Sequence, residues 1–267
     1  MRLLYWNLKA NKNESYIAAL IRAKDIDIGI FSEYSGTDFS ELTCNLLNGE
    51  YELHQGYGAC EKVILVSKKN IIVDINREQS RYIMYSVRCE ACQYIIVGIH
   101  LPSNPNSNSD DRKMVIRDIV ADLKEQESHH GHKNSIIIGD FNASPFDEEL
   151  VEKDAFNAVL YRDIIEKKET VTHQGKKFRL LYNPALHYIS ENDHQYGSFY
   201  YTGGIKALYW YCFDQILMTK SLLNSFRGMC YCRTINGKSL LKNVRPNESI
   251  SDHLPLIAEF ERSNENE

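Results

Sequence analysis

Short unbroken apolar blocks recur along this chain. Leu3–Trp6 form one, Ile28–Phe31 another, and Ile136, Ile137 and Ile138 a third. Blocks this short and rich in β-branched residues predict strands buried on both faces. Each block empties into polar side chains: Asn7 ends the strand Arg2–Leu8, Ser32-Glu33-Tyr34 follow Asp27–Phe31, and Asp140 and Asn142 follow Gly139. Elsewhere the period is helical. Ile17, Leu20 and Ile21 predict a helix over Glu14–Ala23, and Val115, Ile116, Ile119, Val120 and Leu123 one over Asp111–Gln126, started by Ser109, Asp110 and Asp111. Weaker patterns suggest helices over Phe39–Leu47 and Asp147–Lys153, with His129, His130 and His132 in a solvated loop between the long helix and the isoleucine strand.

From Tyr51 to Ile99 the chain reads as successive strands, Tyr51–Gln55, Val63–Ser67, Ile71–Asn76, Tyr82–Arg88 and Tyr94–Ile99, joined by turns as antiparallel hairpins. A polar loop, Ser103–Ser109, follows His100-Leu101-Pro102. Phe213–Met218, Arg227–Ile235 and Ser251–Phe260 supply the last strands. Residues 155–205 show no clear period. The stretch Tyr196–Tyr211 is aromatic-rich and broken at Gly203-Gly204. It fits two strands with rings in the core, or exposed rings on which bases stack. With no repeat and no linker, 1–262 reads as one domain and 263–267 as a frayed tail. Hairpins mixed with crossover helices predict helices packed outside two sheets.

Composition narrows the class. At 43% hydrophobic residues the chain can bury a large core, yet it has no apolar run of about 18 residues to span a membrane. The apolar stretch in MRLLYWNLKANK is too short for a signal peptide. Seven cysteines without repeated spacing suit free thiols in a reducing cytoplasm better than a disulfide framework. Cys89–Cys92 lacks the second pair that a zinc site needs. A net charge of −5 argues against holding nucleic acid by bulk electrostatics. It leaves room for an enzyme whose metal ion supplies positive charge locally.

Core packing does not ask for Asn7, Glu33, His100, Asp140, Asn142, Asp214, Asp252 and His253 at strand ends. Hard oxygen donors suit Mg²⁺ or Mn²⁺. Histidines suit phosphate contact and proton transfer near neutral pH. The segments YWNLK, FSEYS, GIHLPS, GDFNASP, FDQIL and SDHLPL carry these residues in the order found in the endonuclease/exonuclease/phosphatase superfamily, which the chain resembles over nearly its whole length. The resemblance implies a deoxyribonuclease I-like four-layer α/β sandwich, two mainly antiparallel central sheets flanked by helices. It implies a divalent-metal-dependent phosphodiesterase, foremost a nuclease acting on DNA or RNA without a membrane partner. The alternative within the fold is a phosphomonoesterase or a lipid or inositol phosphate hydrolase; outside catalysis, a binding module.

By the same resemblance Asn7, Glu33 and Asp252 would hold Mg²⁺ or Mn²⁺. Asp140 would orient and deprotonate water with Asn142 beside it. His253, backed by Asp214, and His100 would contact the phosphate. Glu61 is expected to pair with His100, and Tyr201 and Trp210 to meet substrate. Arg81, Arg88, Arg112, Lys113 and Arg117 read as ordinary surface charges or as a basic rim. Where many members carry an arginine two residues before the Asp214 position, this chain has Cys212.

Overall fold

A computed structural model describes residues 1–89, 92–103, 109–189, 193–203 and 208–261. Its frame is two sheets. The first holds six strands in the spatial order Phe226–Tyr231, Leu256–Phe260, Arg2–Asn7, Ile28–Ser32, Val63–Lys68 and Tyr51–His54. The second holds seven: Ile72–Gln79, Tyr82–Cys89, Cys92–His100, Ser135–Asp140, Asp214–Met218, Leu181–Tyr182 and Ala158–Val159. Near the middle of each sheet lies one parallel pair, Arg2–Asn7 beside Ile28–Ser32 and Cys92–His100 beside Ser135–Asp140. A short parallel pair closes one edge, and the other pairings in these sheets are antiparallel. A parallel pair needs a crossover. The helices Glu14–Lys24 and Ser109–His130 supply the two central ones.

The isoleucine run shows how the layers share side chains. Ile136 and Ile138 join Ile216 and Met218 in the main core, while Ile137 joins Leu217 and Ile116, Ile119 and Leu123 of the long helix. Alternate residues of one strand thus fill two cores, so the run is continuous rather than alternating. Gly98 marks a close approach of the sheets. A β-carbon there would lie 2.7 Å from Val63 Cγ1 and 3.1 Å from Ile30 Cγ2, both on the opposite sheet.

Several boundaries differ from the sequence pattern. Phe39–Leu47 is helical as expected, but its body, Glu41–Leu46, is wound as a π-helix, with the Leu47 N–H on the Leu42 carbonyl at 2.8 Å. The Asp147–Lys153 helix shrinks to Glu148–Val151. The long helix runs to His130, so His129 and His130 form its last turn rather than a loop; the carbonyl end of a helix favours cationic side chains. The strand Ile72–Gln79 continues past Asn76 through a bulge between Ile75 and Arg77. Arg227–Ile235 is not one strand: the sheet pairing stops at Tyr231, and Thr234–Ile235 turns into a small hairpin with Lys238–Ser239. Most of the Ser103–Ser109 loop, Gly204 and the tail 263–267 lie outside the described residues. Among the described residues, no helix is long and apolar enough to cross a membrane.

Candidate active site

Strand register gathers the polar strand ends. Asn7 is paired with Ser32, the residue before Glu33, at the end of the first parallel pair. In the other sheet Asp140 stands between His100 on one neighbouring strand and Asp214 on the other. Parallel strands finish at the same end of a sheet, so two stacked sheets bring both sets into one crevice. Gly139 permits the tight packing there, since a β-carbon would lie 2.0 Å from the Ile99 carbonyl oxygen. Glu33 and Asn142 each take a φ of 47°, the left-handed region that side chains seldom occupy. Such positions cost energy and concentrate at functional sites.

Within the crevice the contacts fall into two halves. In the first, the buried Asn7 donates from Nδ2 to Glu33 Oε1 at 3.0 Å and to Asp140 Oδ2 at 3.3 Å. The Glu33 side chain is 42% exposed, with His100 Nε2 3.4 Å from its Oε1. The His100 imidazole and the Asn7 amide outweigh partial burial and hold the Glu33 carboxyl down to about 2. It is ionised and open at neutral pH.

The second half is dry. Asp214 is fully buried, and its Oδ2 lies 2.8 Å from His253 Nδ1. Burial alone would depress the imidazole. The Asp214 charge and hydrogen bond, helped by Asp140, instead raise it to about 10. His253 Nε2 stands 4.0 Å from Asp140 Oδ2. Asp140 is pushed up, first by burial and then by the Asp214 charge. Its Oδ1 accepts the Asn142 backbone N–H at 2.8 Å, while Asn142 Nδ2 donates to the Leu101 carbonyl at 2.9 Å. Asn142 therefore grips Asp140 through its main chain. Among the described residues, the buried His100 Nδ1 and Asp214 Oδ1 have no hydrogen-bond partner.

One expectation needs correction. Glu61 does not pair with His100. It is exposed in the bend before the strand, which begins at Val63, and His100 turns to Glu33 instead. Asp252 Oδ2 is 3.4 Å from Lys9 Nζ, which also reaches Glu248 at 3.3 Å. Tyr201 is on an exposed edge, whereas Trp210, set opposite Tyr200, packs against the main core. Most of the arginines and the lysine weighed for a basic rim are neutralised: Arg88 by Asp74, Arg112 by Glu149, Lys113 by Glu148 and Glu152, Arg117 by Asp154. Arg81 differs, lying half-buried with its carbonyl on the His100 N–H. Cys212 is a packing residue; burial pushes its thiol up to about 12.

Other residues hold the site without having stood out in the sequence. Ser251 Oγ donates to the Asn7 carbonyl at 2.7 Å and accepts the His253 N–H at 3.1 Å, tying both halves together. Trp6 Nε1 donates to the His253 carbonyl at 2.9 Å. Gln215 Nε2 donates to the Ala143 carbonyl and its Oε1 accepts Asn183 Nδ2, both at 2.7 Å, a satisfied buried network under the Asp140 loop. The available signal was adjacency: Ser251 precedes SDH's aspartate, Trp6 precedes Asn7, and Gln215 follows Asp214.

The donor set fits a divalent cation at Glu33, whose carboxylate offers hard oxygens at the open side of the crevice; Asn7 lies behind it, its Oδ1 accepting the Lys9 N–H at 3.0 Å. Asp140, Asp214 and His253 also place ligand atoms within 4.8 Å of one another. That trio suits a cation less well, because Asp214 Oδ2 is engaged by His253 and a protonated imidazole is no ligand.

A family model described as the endonuclease/exonuclease/phosphatase family matches residues 4–253. This chain belongs to that family. That places it among divalent-metal-dependent phosphodiesterases and phosphatases. No curated protein matches its sequence. Among solved structures it is similar to truncated TDP2 of Caenorhabditis elegans (14% identity, TM-score 0.60, 98% of this chain and 97% of that one). It is also similar to the human Nocturnin catalytic domain with bound sulfate (16%, 0.59, 98% and 94%). A third is the 3′ phosphatase NExo from Neisseria bound to a product DNA hairpin (15%, 0.56, 98% and 100%). At these identities the likeness is one of fold.

Proposed function

We propose that this protein is a Mg²⁺- or Mn²⁺-dependent nuclease, with residues 1–262 as one catalytic unit, hydrolysing DNA or RNA phosphodiester bonds by metal-assisted attack of water. One observation carries the reading: a cationic His253 locked on Asp214 beside a buried, basic Asp140, with an ionised Glu33 opposite. Glu33 and Asn7 would hold the ion, joined by Asp252 once it releases Lys9. Bound there, it supplies Lewis-acid polarisation of a phosphoryl oxygen and offsets negative charge.

The chain's own groups do the rest. Asp140 orients water and accepts its proton; a carboxyl raised by burial and a like charge is a better base than a free one. Asn142 fixes Asp140 through its N–H. His253 presents Nε2–H to a phosphate oxygen, since Nδ1 is held by Asp214. His100 approaches from the Glu33 side. Cysteines outside any disulfide suit a reducing, cytoplasmic setting.

A phosphomonoesterase or a lipid or inositol phosphate hydrolase is the second reading, favoured by the similar structure described as a 3′ phosphatase. The test is a labelled panel in Mg²⁺ and in Mn²⁺: single- and double-stranded DNA, RNA, a 5′-tyrosyl oligonucleotide and inositol phosphates. Nucleic-acid cleavage abolished both by EDTA and by Asp140→Asn is expected. Turnover of an inositol phosphate with silence on nucleic acid would transfer the assignment to the second reading.

A further inference from the structure

The segment Arg162–Arg179 departs from the charge of the rest of the chain. It carries six lysines and arginines against three carboxylates, in a protein of net charge −5. All three carboxylates are engaged: Glu166 by Arg162 at 2.7 Å, Asp163 by Lys167 at 3.8 Å and Glu169 by Lys133 at 2.8 Å. Lys168, Lys176 and Lys177 are exposed and form no ion pair among the described residues. Lys176 and Lys177 lie on a hairpin, Thr170–His173 against Lys176–Arg179, which forms a two-stranded sheet of its own. Gln174 and Gly175 turn it with φ of 47° and 76°, the two-residue turn whose twist suits hairpin strands. Register sets Lys177 opposite Thr172 and Arg179 opposite Thr170, so cations and hydroxyls share one face, while Lys176 meets His173 at the tip.

The base of this ribbon is fixed. Arg179 pairs with the buried Glu127, and its carbonyl accepts Asn157 Nδ2 at 2.8 Å. The Leu180 N–H donates to the Glu169 carbonyl at 2.9 Å, and Val171 packs against the main core. Lys133 holds the Glu169 carboxyl below its ordinary range, with Arg179 and Lys220 adding to the local positive field. The ribbon stands at the end of the second sheet away from the crevice. It leads into Leu181–Tyr182, where Tyr182 is paired with Met218, the far end of the strand that opens at Asp214. Lys133 likewise precedes Ser135, the far end of the strand that finishes at Asp140. The length of that strand sets the ribbon roughly 17 Å from Asp140.

Unpaired cations on an anchored ribbon, in a chain that is acidic overall, complement a polyanion. Phosphate oxygens accept from lysine and threonine alike, the groups that Lys177, Thr170 and Thr172 present on one face. A two-stranded ribbon is also narrow enough to lie along a nucleic-acid groove. We infer that the ribbon Thr170–Arg179, with Lys168 beside it, is a second nucleic-acid contact, holding the phosphate backbone of a strand beyond the part engaged in the crevice. This rests on the nuclease reading. The ribbon governs affinity for long substrates, and the hydrolytic groups act without it.

The test separates binding from turnover. Wild type and the double variant Lys176→Gln/Lys177→Gln are titrated by fluorescence anisotropy, in EDTA and at several salt concentrations, with a labelled single strand of about 30 nucleotides, long enough to span both sites. Both lysines are exposed, so the melting transition should not move. The variant is expected to bind about ten-fold more weakly. Its plot of log affinity against log salt should be shallower by about 1.4, since each phosphate contact on a single strand contributes about 0.7. In Mn²⁺ the variant should raise KM for this strand and leave kcat unchanged. Equal affinity and equal salt dependence in both proteins overturn the ribbon contact while leaving the nuclease reading intact. Displacement of the strand by poly-glutamate at equal charge concentration overturns the phosphate assignment in favour of an acidic polypeptide. Binding that weakens in the variant as expected, without cleavage of the strand by wild type, supports the ribbon contact and overturns the nuclease reading alone.

Discussion

The crevice is built twice by one device and used in two ways. Each sheet carries a parallel pair whose strand ends present carboxylates, Glu33 in one and Asp140 in the other. The Glu33 end is open, and its carboxyl is held down to about 2 by His100 and Asn7. The Asp140 end is closed over, and burial beside Asp214 drives its carboxyl upward. Residue type alone does not set these roles. Solvent and neighbours make one carboxylate a permanent anion suited to a cation and raise the other toward the base proposed for it.

That contrast is broken most severely by Asp140→Asn, expected to cut kcat by about a thousand-fold, within the usual range for a lost general base. Raising Mn²⁺ should not recover the rate. Glu33→Gln should also lose activity, but excess Mn²⁺ should restore part of it. Steady-state rates across a metal titration distinguish the two.

Asp214→Asn comes next. It removes the charge that raises His253, so that imidazole should fall from about 10 toward the ordinary histidine value, about 6.5. The sign follows from linkage: in the wild type, stability from protonated His253 is fully present below the ordinary value and is lost as pH rises through about 10. The variant, with folded and unfolded values nearly equal, should lack that contribution and show little change in melting temperature over this range, while its activity should decline already above neutral pH. NMR titration of the imidazole, with melting temperatures over the same range, checks both.

Gln215→Ala sharpens the dry half. It orphans the Ala143 carbonyl and Asn183 Nδ2, at a cost of about 1–3 kcal/mol in stability by denaturant titration. The mildest effect is expected on the open half. Lys9→Met frees Asp252 and should tighten Mn²⁺ binding a few-fold by calorimetry; weaker binding would show that Lys9 supports the site rather than competing for it.

The crevice was legible in the sequence because it is made of strand ends. An apolar block that stops at Asn7, Glu33 or Asp140 announces both the strand and the side chain at its mouth. Register then does what no motif states, setting Asp140 between His100 and Asp214. What the pattern could not give has particular causes. Glu61 lies two residues before the strand that opens at Val63 and stays in solvent. Lys9 meets Asp252 across the length of the chain, a contact no local pattern encodes. The two long helices announced themselves by period. The segment Asp147–Lys153 is helical only over Glu148–Val151, because a few apolar residues carry too little information to fix a helix's ends.

The central claim is that the open half holds the cation and the dry half moves protons. Its most direct test is Mn²⁺-dependent thermal stabilisation of wild type, Glu33→Ala and Asp140→Asn, since a bound ion raises the melting temperature by mass action. Wild type and Asp140→Asn should both be stabilised, and Glu33→Ala should not. Stabilisation that survives Glu33→Ala but vanishes in Asp140→Asn would place the ion among Asp140, Asp214 and His253 and contradict the division.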